Sequence, residues 1–167
     1  MVRLWAMWFD ELLSAPNRIV YLHKESDTVL VSDSSKSGFG ALLFSEAEVR
    51  VVAGAWSAKC RDLHINVLEM RAARLAIRMF SLEKVEISLV LDNTSALQVF
   101  KKERGRSFMM NKEVGMFIEE MKQRRVTITS LSYIDSKGNP ADYWSRICEN
   151  QLSHPIILRF PTTSTTS

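Results

Sequence analysis

The sequence predicts an α/β protein whose mixed β-sheet is flanked by helices. Three strand-like segments follow one another near the start, and helix and strand patterns alternate after them. A long stretch of helical periodicity follows the three strands, and a nearly continuous apolar segment comes after it. Successive strands followed by β-α-β alternation are typical of a mixed sheet with helices on its faces.

The first three strands are expected to form a meander. Residues 28–35, 39–45 and 49–57 are rich in Val, Leu and Phe, and the turn between the last two falls at residues 46–48. Such residues favour strands, and short polar breaks between them favour turns. An aspartate, Asp33, lies inside the first of these strands, where a carboxylate is disfavoured.

A long helix is expected at residues 65–80, followed by a central strand. Apolar residues recur there at alternating steps of three and four, which places them on one helix face: Ile65, Leu68, Ala72, Leu75 and Met79. The next segment, 85–92, is almost continuously apolar after Glu86. This pattern is typical of a strand that is covered on both faces.

The second half adds helices and one more strand. A helix is expected to begin at Asn93 or Thr94, another covers residues 107–125, and a strand covers 126–134. The last helix is expected to begin with Asn139 as its cap and Pro140 at its first position.

Length and composition indicate one ordinary globular domain. The chain has 167 residues, 46% hydrophobic and 25% charged, with a net charge of +3. No apolar run approaches the length of a membrane span, so no contact with a membrane is expected. The two cysteines lack metal-ligand spacing, which favours a reducing, intracellular location.

Four acidic residues stand out by position: Asp33, Glu69, Asp92 and Asp142. Asp33 and Asp92 lie near strand ends, where α/β sheets place functional groups, and Glu69 borders the apolar stripe of the long helix. Each acid has a plain structural alternative, such as a turn, a helix cap or a solvated helix position. Clustered carboxylates repel by about 4 kcal/mol per pair at 4 Å, which hard cations such as Mg²⁺ or Mn²⁺ relieve.

At these residues the sequence resembles a ribonuclease H domain of the retroelement type, associated with reverse transcriptases and notably DIRS-like retrotransposons. The resemblance covers residues 29 to 146 and depends on four strings in order: VSDSSKSGFGALL, HINVLEMRAA, LVLDNTSA and GNPADYWSR. It implies a ribonuclease H-like fold, a five-stranded mixed sheet in the order 3-2-1-4-5 with strand 2 antiparallel to its neighbours.

The resemblance also implies a function, hydrolysis of the RNA strand in RNA–DNA hybrids. Asp33, Glu69, Asp92 and Asp142 match the family's catalytic and metal-binding quartet, which holds two Mg²⁺ ions, with Mn²⁺ as a substitute. Asn66 matches a position that contacts the minor groove. Further candidates for substrate binding are His64, Ser34, Lys101, Lys102, Arg104 and Arg106. Many relatives carry a histidine in the loop before the last helix, and the stretch YIDSKGNPAD lacks one.

The chain is expected to have three parts. Residues 1–26 are expected to form a helical connector, 27–150 the ribonuclease H-like domain, and 151–167 a partly disordered tail. The connector suggests an upstream reverse transcriptase domain as a partner. Two alternatives stay open: a domesticated domain of the same fold that binds nucleic acid or protein without cutting it, and a related nuclease that acts on DNA.

Overall fold

The computed structural model describes residues 26–95, 97–98, 107–147 and 154–162. Within this part of the chain, six strands form a single mixed sheet. They are β1 (Val29–Ser34), β2 (Gly38–Phe44), β3 (Glu48–Ala55), β4 (Glu86–Leu91), β5 (Thr127–Tyr133) and β6 (Ile156–Pro161). The expected α/β class is confirmed.

Helices cover both faces of this sheet. Those described from end to end are α1 (Ala58–Arg61), α2 (Ile65–Met79), α3 (Phe108–Arg124) and α4 (Ala141–Arg146). Residues 94–95 and 97–98 are also helical, and Ser136–Gly138 form one 3₁₀ turn before α4. The bounds of α2 agree with the predicted helix to within one residue.

The strand order is β5-β4-β1-β2-β3-β6. Strand β2 is antiparallel to β1 and β3, whereas β1, β4 and β5 are parallel. The prediction of five strands is wrong by one, because β6 pairs antiparallel with β3 and extends the sheet at that edge. Strand β6 comes from the segment that the sequence assigned to a tail.

Two apolar layers enclose the sheet. The larger layer packs α2 and α3 against one face, with Leu30 and Leu89 from the sheet and Leu68 and Phe117 from the helices. The smaller layer packs Trp144 of α4, together with its neighbour Ala141, against the other face. Side chains alternate between the two faces along β1, so Asp33 lies on the same face as Val29 and Val31, the face that α4 covers.

The start of α4 differs in detail from the prediction. Asn139 was expected as the cap, but the residue that immediately precedes the helix is Pro140, in a helical conformation. The buried Asn139 side chain nevertheless accepts a hydrogen bond from the backbone N–H of Ala141 at 2.9 Å. Asn139 therefore satisfies a free N–H of the first turn from one residue further upstream.

Gly40 allows α4 to lie directly on β2. A Cβ atom at this position would lie 2.5 Å from the backbone nitrogen of Ser145 and 2.6 Å from the Cβ of Trp144. We expect Gly40→Ala to lower the free energy of unfolding by about 1–3 kcal/mol, since backbone must move to make room. Urea unfolding measures this change.

Gly115 on α3 supplies the matched control, because nothing lies within 4 Å of a Cβ added there. Gly115→Ala should leave the protein as stable or stabilise it by up to about 1 kcal/mol, as alanine favours a helix interior. Equal effects of the two substitutions would show that the close approach at Gly40 carries no energetic weight.

Two sequence expectations concern residues outside the described part of the chain. The helical connector at residues 1–26 lies almost wholly there, and so do the basic residues of the segment 101–106. No helix in the described ranges combines the length and apolar character needed to cross a bilayer.

Candidate active site

Three of the four predicted acids converge at one end of the sheet. Asp33 lies in β1, Asp92 directly follows β4, and Glu69 lies in the second turn of α2. Each offers a carboxylate oxygen, and these three oxygens all lie within 4.8 Å of one another. The arrangement follows from topology, because the parallel strands β1 and β4 are neighbours and end at the same edge.

Burial makes this cluster electrostatically costly. Asp33 is 3% exposed and Glu69 is 9% exposed. Burial raises the pKa of Asp33 to about 7; the hydrogen bond from Ser145 lowers it, while the Asp92 and Asp142 carboxylates raise it. Burial also raises the pKa of Glu69 to about 8, with a further contribution from the charge of Asp92.

Neutral donors, rather than cations, contact these carboxylates. Ser145 Oγ donates to Asp33 Oδ2 at 2.7 Å, and Ser136 Oγ donates to Asp92 Oδ2 at 3.2 Å. The side-chain amide of Asn93 donates to Glu69. Among the described residues, no lysine or arginine forms an ion pair with any of the three acids.

The donor set fits a divalent cation. Carboxylate oxygens are hard ligands, and three of them around one point suit Mg²⁺ or Mn²⁺ better than zinc. Because the described residues provide no positive side chain to offset the charge, a bound cation would remove the repulsion that burial intensifies.

Asp142, the fourth predicted acid, lies close to this group but outside it. Its charge contributes to the raised pKa of Asp33. Its Oδ1 accepts hydrogen bonds from Arg146, one turn further along α4, at 3.1 Å from Nε and 3.0 Å from a terminal guanidinium nitrogen. The local i,i+4 pair holds this carboxylate.

The residues predicted to bind substrate differ in their burial and in their hydrogen-bond partners. Asn66 is half-buried beside the acids, and its Oδ1 accepts from the amide of Asn93 at 2.7 Å. His64 is exposed and caps α2, its Nδ1 accepting from the backbone N–H of Asn66. Ser34 is buried, and its hydroxyl is engaged by Trp56 and by backbone carbonyls. The Ser34 hydroxyl is therefore already hydrogen-bonded within the protein.

Two polar partners of the site, Asn93 and Ser145, were not predicted from the sequence. Asn93 was considered only as a helix cap, which it also is, since its Oδ1 accepts from the backbone of Ser95. Ser145 follows Asp142 by three residues and so lies on the same side of α4. That spacing was the one available signal.

Comparisons with solved structures identify the architecture. Ribonuclease H1 from the halophilic archaeon Halobacterium salinarum NRC-1 superposes with a TM-score of 0.55, covering 70% of this chain and 92% of that chain. The protein has the ribonuclease H fold. LC11-RNase H1, solved in complex with an RNA/DNA hybrid, superposes with a TM-score of 0.53 and the same coverage.

Sequence similarity to these two ribonucleases H1 is low, at 13% identity for each. No protein-family model and no curated protein matches the chain. The likeness is therefore one of fold, and the chemistry has to be argued from the acidic cluster itself.

The pKa values of the acids give the metal-free protein a characteristic pH dependence. Asp33 and Glu69 have folded pKa values of about 7 and 8, above their ordinary values of 3.8 and 4.5. The folded state therefore retains protons that the unfolded chain releases, so stability falls as pH rises from about 4 to about 8. We expect urea unfolding in EDTA to show this fall, and saturating Mn²⁺ to reverse it at pH 8.

Asp33→Asn provides the control for this profile, because it removes one of the two titrating groups. The variant should lose less stability between pH 5 and pH 8 than the wild type does. A wild-type profile that is flat or rises over this interval would contradict the assignment of buried, proton-retaining carboxylates.

Proposed function

We propose that this chain is a divalent-cation-dependent ribonuclease H that hydrolyses the RNA strand of RNA–DNA hybrids. One observation carries the proposal: the convergence of Asp33, Glu69 and Asp92 at the end of β1 and β4. Within a ribonuclease H fold, this end of the sheet is where the strand ends can present catalytic groups to a substrate. The hybrid in the LC11-RNase H1 complex supports the choice of substrate class.

The acids would hold two Mg²⁺ ions, or Mn²⁺ in their place. Such ions supply an activated water and stabilise charge on the leaving oxygen. Asp33 lies in β1 and Asp92 directly follows β4, two strands that pair with each other inside the sheet, so their carboxylates would be held in place before the substrate binds. Glu69 is held toward them by Asn93.

Asp142 completes the proposed quartet, with one added requirement. Its carboxylate is paired with Arg146 on the surface of α4, where both side chains are substantially exposed. We infer that Asp142 turns from Arg146 toward the other acids when a second cation binds. Exposed pairs of this kind are weak, so the exchange has a small energetic cost.

Recognition of the hybrid would combine contacts to its minor groove with contacts to its phosphate backbone. The amide of Asn66, beside the acids, can contact 2′-hydroxyls in the minor groove, the feature that distinguishes RNA from DNA. The exposed His64 lies two residues away at the start of α2. Lys101, Lys102, Arg104 and Arg106 would bind backbone phosphates, so affinity should fall as salt rises.

We also propose that the chain derives from a retroelement. The ordered strings that surround the four acids support a retroelement source, with a reverse transcriptase domain upstream. The loop before α4 carries Asp135 and Lys137, both exposed, where relatives often have a histidine. Either residue could assist release of the product from the site.

A cleavage assay with four labelled substrates tests the proposed function. The full chain is incubated with RNA–DNA hybrid, duplex RNA, duplex DNA and single-stranded RNA, with Mg²⁺ and with Mn²⁺. We expect cleavage of the RNA strand of the hybrid alone, and none by Asp92→Asn. A hybrid that is bound but left whole would indicate a binding domain, and cleavage of duplex DNA would indicate a related nuclease that acts on DNA.

A further inference from the structure

Ser145 of α4 donates a hydrogen bond directly to the acidic cluster. It is fully buried on α4, and its Oγ lies 2.7 Å from Asp33 Oδ2 and 2.9 Å from the backbone carbonyl oxygen of Asp142. A hydroxyl has a single proton, so it donates to one of these acceptors at a time. A carboxylate that binds a cation is ionised and is then a stronger acceptor than a backbone carbonyl, so in that form the Ser145 proton goes to Asp33.

The backbone at Ser145 is held on two sides. Ser35 Oγ donates to the carbonyl oxygen of Ser145 at 2.9 Å. Gly40 lies opposite Asp33 in the β1–β2 register, and its missing side chain lets the nitrogen of Ser145 approach the sheet. The donor is thus fixed by main-chain contacts that do not depend on its own hydroxyl.

We propose that Ser145 is a positioning residue that orients the metal-binding carboxylate of Asp33. Its hydrogen bond to Oδ2 fixes the plane of the carboxylate and so aims the remaining lone pairs at the point shared with Glu69 and Asp92. Partners that orient metal ligands in this way commonly contribute 10- to 100-fold to metal affinity or activity. This inference depends on the proposed function.

A purely structural role predicts a different result. If Ser145 served only to attach α4 to the sheet, its loss would lower stability and leave cation affinity unchanged. Alanine is smaller, favours helices and keeps both main-chain contacts, so Ser145→Ala should fold. Ser145→Cys retains a weaker donor and should fall between the wild type and Ser145→Ala.

Ser130 offers a matched control. It is also fully buried, in β5, and its hydroxyl has no hydrogen-bond partner among the described residues. Ser130→Ala removes a buried hydroxyl of the same size without touching a carboxylate. It should leave cation binding unaltered.

The test measures Mn²⁺ affinity by titration calorimetry and, separately, hybrid cleavage as kcat and KM. We expect Ser145→Ala to bind Mn²⁺ about 10- to 100-fold more weakly and to lose kcat at fixed Mg²⁺, with KM for the hybrid unchanged. Mn²⁺ affinity within about twofold of the wild type, or an equal loss in Ser130→Ala, would overturn the inference. A wild type that neither binds Mn²⁺ nor cuts would instead overturn the proposed function.

Discussion

Asp33→Asn should abolish hybrid cleavage and at the same time stabilise the metal-free protein. The loss of a charged ligand in a preorganised site should lower kcat by at least about 10²- to 10³-fold. Because Asp33 is 3% exposed and burial raises its pKa to about 7, its ionised form is costly at pH 8. Removal of that charge should raise the free energy of unfolding by on the order of 2 kcal/mol in EDTA.

Asparagine suits this position sterically. Its carbonyl oxygen can still accept from Ser145, and its amide can donate to the neighbouring Asp92 carboxylate. Activity and stability should therefore change in opposite directions, which a simple packing defect cannot produce. Hybrid cleavage and urea unfolding on the same preparation measure both quantities.

The control for Asp33→Asn is Asp27→Asn, which alters an exposed carboxylate just before β1, at the opposite end of that strand from Asp33. It should retain fold and most of the wild-type kcat. If Asp33→Asn cut the hybrid at the wild-type rate, Asp33 would not hold a cation needed for cleavage.

Glu113→Ala should produce the largest loss of stability, about 3–5 kcal/mol. The Glu113 side chain is 1% exposed and lies between two arginines of α2. Arg74 Nε donates to its Oε1 at 2.7 Å, and Arg71 donates to its Oε2 at 2.9 Å. Alanine would leave a nearly buried guanidinium, that of Arg74, without its carboxylate between α2 and α3.

Glu119 on the same helix is the matched control for Glu113. It is exposed and accepts a hydrogen bond from Gln123 one turn along α3. Glu119→Ala should change stability by no more than about 0.5 kcal/mol. Urea unfolding separates the two variants, and a loss below about 1 kcal/mol for Glu113→Ala would contradict the account of this ion pair.

The parts of the fold that follow from local pattern were predictable. The three-four spacing from Ile65 to Met79 identified α2, and the apolar run after Glu86 identified a doubly covered β4. Parallel neighbours end at the same edge, so Asp33 and Asp92 were expected close together once the resemblance placed their two strands side by side.

The parts that depend on distant partners were not predictable. Arg71, Arg74 and Glu113 have the appearance of solvated helix charges in the sequence. Only the packing of α2 on α3 buries Arg74 and Glu113 and half-buries Arg71. Strand β6 is short and ends at Pro161, so it reads as a tail until β3 supplies its hydrogen bonds. The orientation of Asp142 depends on competition from Arg146, which sequence spacing permits but does not fix.

A crystal of the protein soaked in Mn²⁺, with anomalous diffraction recorded, tests the central claim most directly. An anomalous peak should lie between the carboxylates of Asp33, Glu69 and Asp92, at roughly 2.0–2.3 Å from their oxygens. The peak should be absent from Asp33→Asn crystals treated in the same way. No peak at this point under saturating Mn²⁺, in wild-type crystals, would contradict the assignment of a cation site.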